Sequence, residues 1–94
     1  MQENNTKVEK LSEMPNIGKE LEKRLIKVGI LSPLQLIERG SISAFQLLHA
    51  ADREICINTL YALEGAVQNI RWHKLEKTTR KELEFYFKGI QQSG

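Results

Sequence analysis

A single cysteine, Cys56, excludes an internal disulfide, so the fold of this 94-residue chain must stand on packing alone. With only two histidines beside it, His49 and His73, the chain cannot assemble a four-ligand zinc set, and their spacings match no metal motif. No apolar run approaches the ~18 residues a membrane span needs, and the start, Met1 to Lys10, is too polar for a signal peptide. These absences make the cytoplasm the expected compartment and leave no expected membrane partner. There is no Walker loop and no nucleophile elbow, and Gly18 and Gly29 lie too far apart for a dinucleotide fingerprint. No enzyme activity, cofactor, metal or small-molecule substrate is therefore expected. Strand signals are also scarce: no sustained alternation and no Asn-Gly or Asp-Gly turn.

What is present is an ordinary globular balance, 40% hydrophobic and 28% charged. A chain this size buries roughly 65% of the surface it exposes when unfolded, enough for one modest core. The organisation expected is a frayed segment over 1–6, a single helical domain over 7–90 and a tail over 91–94. The fold class is all-α, a compact bundle of five to six short helices with one long central helix.

Helix punctuation supports this reading. A first short helix is expected from about Lys7 to Met14, ended by Pro15. Asn16 is a suitable N-cap for a second helix, along which Ile17, Leu21, Leu25 and Val28 make one apolar stripe. Gly29, followed by Ile30, suits a left-handed C-cap. Ser32 and Pro33 open a third helix with Leu34, Ile37 and Leu36 as inward candidates, and Gly40 stops it. Ser41 is expected to cap a fourth, burying Phe45 and Leu48, with Ile42 as a further candidate. The longest helix is expected from about Arg53 to Trp72, with Cys56, Leu60, Leu63, Val67 and Ile70 in one stripe and Ile57 and Tyr61 beginning a second. On it, Gly65 costs roughly 1 kcal/mol against alanine, which implies that another backbone passes close by. Thr79 to Glu82 reads as a capping box opening the last helix, with Leu83, Phe87 and either Tyr86 or Ile90 inward.

The net charge of +2 hides polarity along the chain. Lys19, Lys23, Arg24 and Lys27 face only Glu20 and Glu22. Arg71, Lys74, Lys77, Arg80 and Lys81 face only Glu76, whereas Asp52 to Ile70 is acidic. Two basic segments are thus separated by an acidic one, a pattern compatible with a nucleic-acid footprint.

The segment Leu11-Ser12-Glu13-Met14-Pro15-Asn16-Ile17-Gly18-Lys19 resembles a helix-hairpin-helix element, in which a Pro-Gly-hydrophobic-Gly hairpin joins two short helices. Together with Leu25 to Ile30 and the run from Leu60 to His73, the chain is similar to the C-terminal domain of the TfoX/Sxy family, bacterial regulators of competence for DNA transformation. The resemblance spans about Val8 to Phe87. It implies an all-helical domain of helix-hairpin-helix character with a link to DNA transactions or transcriptional control. The family's full-length members also carry an N-terminal α/β domain, to which no part of these 94 residues is expected to correspond.

In DNA-binding hairpins of this kind, backbone N–H groups at the start of the second helix point at a phosphate, which requires small residues and unclaimed donors. The candidate N–H groups are those of Ile17, Gly18 and Lys19, with Asn16 as the preceding hairpin residue of the site and Lys23 and Lys27 on the same helix face as Lys19. Such contacts follow the phosphate path without reading bases. Asn16 stands where the hairpin's first glycine is usual; asparagine tolerates a left-handed backbone, but as a cap it would claim the very donors a phosphate needs. Glu22 replaces the small residue common four positions past the second glycine. A secondary basic patch comprises Arg71, Lys74, Lys77, Arg80 and Lys81; the simpler role for its first residues is to complement a helix dipole while Trp72 covers the joint to the last helix. Cys56 is expected in the core, and His49 as a polar or capping residue near a helix end. Two function classes follow: a non-enzymatic module that holds DNA weakly and without sequence choice, or a domain that binds a protein partner or itself. Ile26, Tyr61 and Phe85, outside the main stripes, would mark the latter surface if exposed together.

Overall fold

A computed structural model describes residues 9–93; the segment 1–6 expected to fray lies outside the described residues. The chain forms a 3-10 helix over Leu11–Glu13, then α1 (Lys19–Lys27), α2 (Pro33–Arg39), α3 (Ser41–Ala51) and α4 (Ile57–Gln68). A second 3-10 helix, Trp72–Lys74, leads into α5 (Lys77–Ser93). No strand occurs among the described residues, and none of their helices is long and apolar enough to cross a membrane. The all-α bundle expected from the sequence is the fold found.

The core forms where the apolar stripes converge. Leu25 of α1, Leu36 of α2, Phe45 of α3 and Leu60 and Leu63 of α4 are fully enclosed, joined by Leu11 and Ile30 from the connections. Each such side chain contributes about 1.5–3 kcal/mol relative to leaving it in water. Helix α4 lies against α3, the second 3-10 helix and α5, and buries residues on several faces. It is the centre of the bundle, as expected, but not its longest helix: α4 has 12 residues and α5 has 17.

Its limits explain the difference. After α3, Asp52 turns the chain, accepting from Ile55 N–H on its carbonyl and from Glu54 N–H on its carboxylate. Cys56 then sits at the N-cap of α4, exposed and outside the core assigned to it. At the other end Asn69 adopts φ +64°, and the Ile70 N–H returns to the Gly65 carbonyl at 2.9 Å, which closes the helix before Trp72.

Three further inward assignments change. In α2, Leu36 and Pro33 are buried, whereas Leu34 and Ile37 face solvent. Both pairs are three apart, so spacing does not distinguish them; the caps at Ser32 and Gly40 and the burial of Ile30 set the rotation of this two-turn helix. In α3, Gly40 is the N-cap, and Ser41 instead donates from its hydroxyl to Glu64 at 2.5 Å; Ile42 is exposed. His49 is buried and stacked on Phe45 rather than capping.

The last helix starts at Lys77, because the Arg80 N–H already bonds the Glu76 carbonyl at 3.0 Å, so Thr79 lies within its first turn instead of before it. Leu83 is buried, with Tyr86, Phe87 and Ile90 partly so. The helix continues through 91–93, where a tail was expected. The expected first helix reduces, in its described part, to the 3-10 helix Leu11–Glu13.

Candidate functional site

The bend over Met14 to Gly18 was expected to be capped locally by Asn16. Gly18 holds the N-cap position of α1 instead, in extended backbone, and no side chain caps it. Asn16 has φ +71°, the left-handed conformation the hairpin requires. Its side chain points away from α1 and into the body of the molecule. The amide nitrogen donates to the Ile70 carbonyl at 2.9 Å and reaches the Ala62 carbonyl at 3.4 Å, while its oxygen accepts from the Trp72 N–H at 3.1 Å. One asparagine thus pairs with backbone groups on both sides of Arg71.

Gly65 makes that contact possible. A Cβ there would stand 2.5 Å from the Asn16 amide nitrogen, 2.8 Å from the Ile70 carbonyl and 3.1 Å from the Trp72 Cα. The close backbone approach implied by a helical glycine is therefore real, and the neighbours are the hairpin and the turn after α4.

Of the three candidate amides, Ile17 N–H is used within the bend, donating to the Met14 carbonyl at 3.3 Å. Gly18 and Lys19 are exposed, and no partner for their N–H groups is found among the described residues. Lys19, Lys23 and Lys27 are all exposed along α1. Arg24 leans toward Asp52 at 3.5 Å, a half-exposed pair of little energetic consequence. Glu22, the charge that would oppose an anion at this bend, is partly buried and accepts from the Ser12 N–H at 3.1 Å, so its carboxylate serves the preceding 3-10 helix.

The second basic segment is split by the structure. Arg71, Lys74, Lys77 and Lys81 are exposed. Arg80 is half-buried and turned inward: its guanidinium lies 5.4 Å from the Trp72 ring centre and 5.9 Å from that of Tyr61, and donates to the His73 carbonyl at 2.7 Å. Tyr61, Trp72 and His73 form a stack of three rings, with centroids 5.5 and 4.1 Å apart and planes inclined by 13° and 27°. Tyr61, expected as a possible exposed residue, is buried; burial, then its hydrogen bond to Glu84, holds its phenol above the usual range, so it remains the donor in that bond. Trp72 does cover the joint between α4 and α5.

The hairpin residues and Arg71 thus come together through Asn16, whereas Lys27 lies at the far end of α1. The roles of Asn16, His73 and Arg80 were not legible in the chain. Only Gly65 signalled a close approach, and it did not name the partner. No group of three His, Cys, Asp or Glu able to hold a metal occurs among the described residues.

The sequence profile of the TfoX C-terminal domain matches residues 7–86. Two solved structures are closely similar. A crystal structure of an uncharacterized protein from Listeria monocytogenes, in a triclinic form, is 48% identical, with 86% of this chain and 92% of that one covered and a TM-score of 0.85. A crystal structure of a protein of unknown function from Listeria monocytogenes, in a tetragonal form, is 49% identical over 85% of this chain and 98% of that one, with a TM-score of 0.83. No curated protein matches significantly.

Proposed function

The chain belongs to the TfoX C-terminal domain family, and we propose that it is a non-enzymatic module that holds DNA weakly by its phosphate backbone, in a competence- or transcription-regulating context. The observation that carries this reading is the Asn16 side chain. By bonding Ile70 and Trp72 it leaves the Gly18 and Lys19 amides unclaimed and sets Arg71 beside the hairpin. Exposed donors at the positive end of a helix, flanked by Lys19, Lys23 and Arg71, suit an oxyanion. They offer nothing that would read a base edge, so binding is indifferent to sequence.

If about three phosphates are neutralised, log K falls with log salt at a slope of roughly −3, and affinity at physiological salt lies in the non-specific range of ~10⁻⁴ to 10⁻⁶ M. Fluorescence anisotropy with a labelled duplex at two salt concentrations measures both. Lys19→Glu with Lys23→Glu should weaken binding and make the slope shallower by about 2. Binding absent at low salt, or untouched by these changes, removes the hairpin as the DNA contact.

A second reading rests on exposed apolar side chains: Leu31 and, on α2, Leu34 and Ile37, with Ile26 on α1, Ile42 on α3 and Phe85, 82% accessible, on α5. Exposed large apolar side chains in this number favour a protein partner or self-association. Sedimentation at two concentrations tests the second copy directly: a strict monomer at high concentration excludes it.

A further inference from the structure

The three-ring stack ends in an exposed histidine. Tyr61 is buried and hydrogen-bonded to Glu84, Trp72 is half-buried, and His73 lies over Trp72 with its own residue open to solvent. Among the described residues, Trp72 is the only ring stacked on the imidazole. The Arg80 guanidinium lies over both larger rings and donates to the His73 carbonyl, which ties α5 to the assembly. The platform is therefore set before any ligand arrives, and ordering it costs little on binding. Arg71 and Lys74 flank it, with Lys77 at the start of α5; the acidic residue of this stretch is Glu76.

We infer that His73 is a stacking position for an unpaired nucleobase, making the surface from the hairpin to Lys74 a site for single-stranded nucleic acid. A planar ring beside basic side chains is the arrangement that grips single strands: the π-face accepts any base while the charges follow the phosphates. A base inside a duplex presents no free face to it. The inference rests on the proposed phosphate contact at the hairpin and extends it. Asn16 bonds the Trp72 N–H, which limits the distance between the Asn16 and His73 Cα atoms to roughly 12 Å on standard backbone dimensions. One strand can therefore touch both the bend and the ring.

The chain reports on this itself, because Trp72 is its sole tryptophan. The experiment titrates the full chain with unlabelled oligodeoxyadenylate, oligoriboadenylate and a blunt-ended DNA duplex of two complementary strands, following Trp72 emission and, with labelled probes, anisotropy. Single strands should bind more tightly than the duplex and change Trp72 emission. His73→Ala should weaken single-strand binding about fivefold or more while leaving duplex affinity and thermal stability unchanged. His73→Phe, which keeps a ring, should restore it. The DNA and RNA arms distinguish which strand is preferred; tighter binding of either supports the site. Equal losses for duplex and single strand in His73→Ala, or no loss in either, overturn the stacking role. If duplex binding persists under that result, the hairpin reading survives alone. Single-strand binding that needs His73 but ignores Lys19→Glu with Lys23→Glu would instead retain the stack and remove the hairpin.

Discussion

Two bends flank α1, and they are closed by opposite means. After α1, Gly29 at φ +94° donates to the Ile26 carbonyl at 3.0 Å, and Ile30 donates to the Leu25 carbonyl at 2.9 Å. Ser32 then accepts from the Gln35 N–H and Gln35 from the Leu31 N–H. Every partner lies within five residues. Before α1, the left-handed residue is Asn16, and its partners are Ala62, Ile70 and Trp72, at least 46 residues away. The first kind of bend forms wherever its sequence forms a helix; the second forms only once α4 is in place. The basic surface next to the hairpin is therefore a tertiary product, held by a side chain that elsewhere would have been a local cap.

The long-range bend is most vulnerable at Gly65. Gly65→Ala would gain about 1 kcal/mol of helix propensity, yet its Cβ would meet two backbone groups that cannot move aside as a flexible side chain could. A net destabilisation of about 2–3 kcal/mol is expected in urea unfolding. Gly89→Ala, at a helical position of α5 with nothing within 4 Å of the new Cβ, should stabilise by up to about 1 kcal/mol, and equal effects at the two sites would contradict the close approach.

Asn16→Ala comes next. It loses the bonds to Ile70 and Trp72 and places a Cβ-bearing residue without a local partner at positive φ, for an expected loss of about 2 kcal/mol. Asn16→Gly relieves the backbone strain and should cost about 1 kcal/mol less. Both variants should lower duplex affinity, with Lys19 and Lys23 intact, because Arg71 is no longer held at the bend; anisotropy on folded protein separates this from unfolding.

The smallest effect is at the local bend. Ser32→Ala removes one cap from the start of α2 and should cost about 1 kcal/mol. Calorimetry should show this loss with no change in DNA binding. A change in affinity comparable to that of Asn16→Gly would mean that the two bends do not divide local from tertiary support as described.

The same division governs how much was legible beforehand. Gly29, Ser32 with Pro33, and Gly40 were readable as helix punctuation because their partners are near neighbours. Leu34 and Ile37 misled because two stripes of equal spacing run along α2, and a short helix does not average out that ambiguity. Thr79 misled because a capping-box pattern competes with an earlier start that costs nothing at an exposed Lys77. The lysines of α1 could be found by their spacing of four; the ring stack under His73 could not, because Tyr61 and Trp72 are eleven residues apart and meet only through the turn at Asn69.

By itself the chain determined its helical content, the left-handed turn at Gly29, the helix stop at Gly40 and the charge of its two basic segments, since these depend on interactions within one or two turns. Only the tertiary structure decided that Asn16 faces inward, that Gly65 receives it, and that Arg80 is withdrawn from the surface to clamp a ring stack. The physical reason is the range of the interactions. A cap competes only with water and its neighbours, whereas a side chain with several hydrogen-bonding atoms goes where packing leaves backbone groups unpaired, and those appear only when distant segments meet.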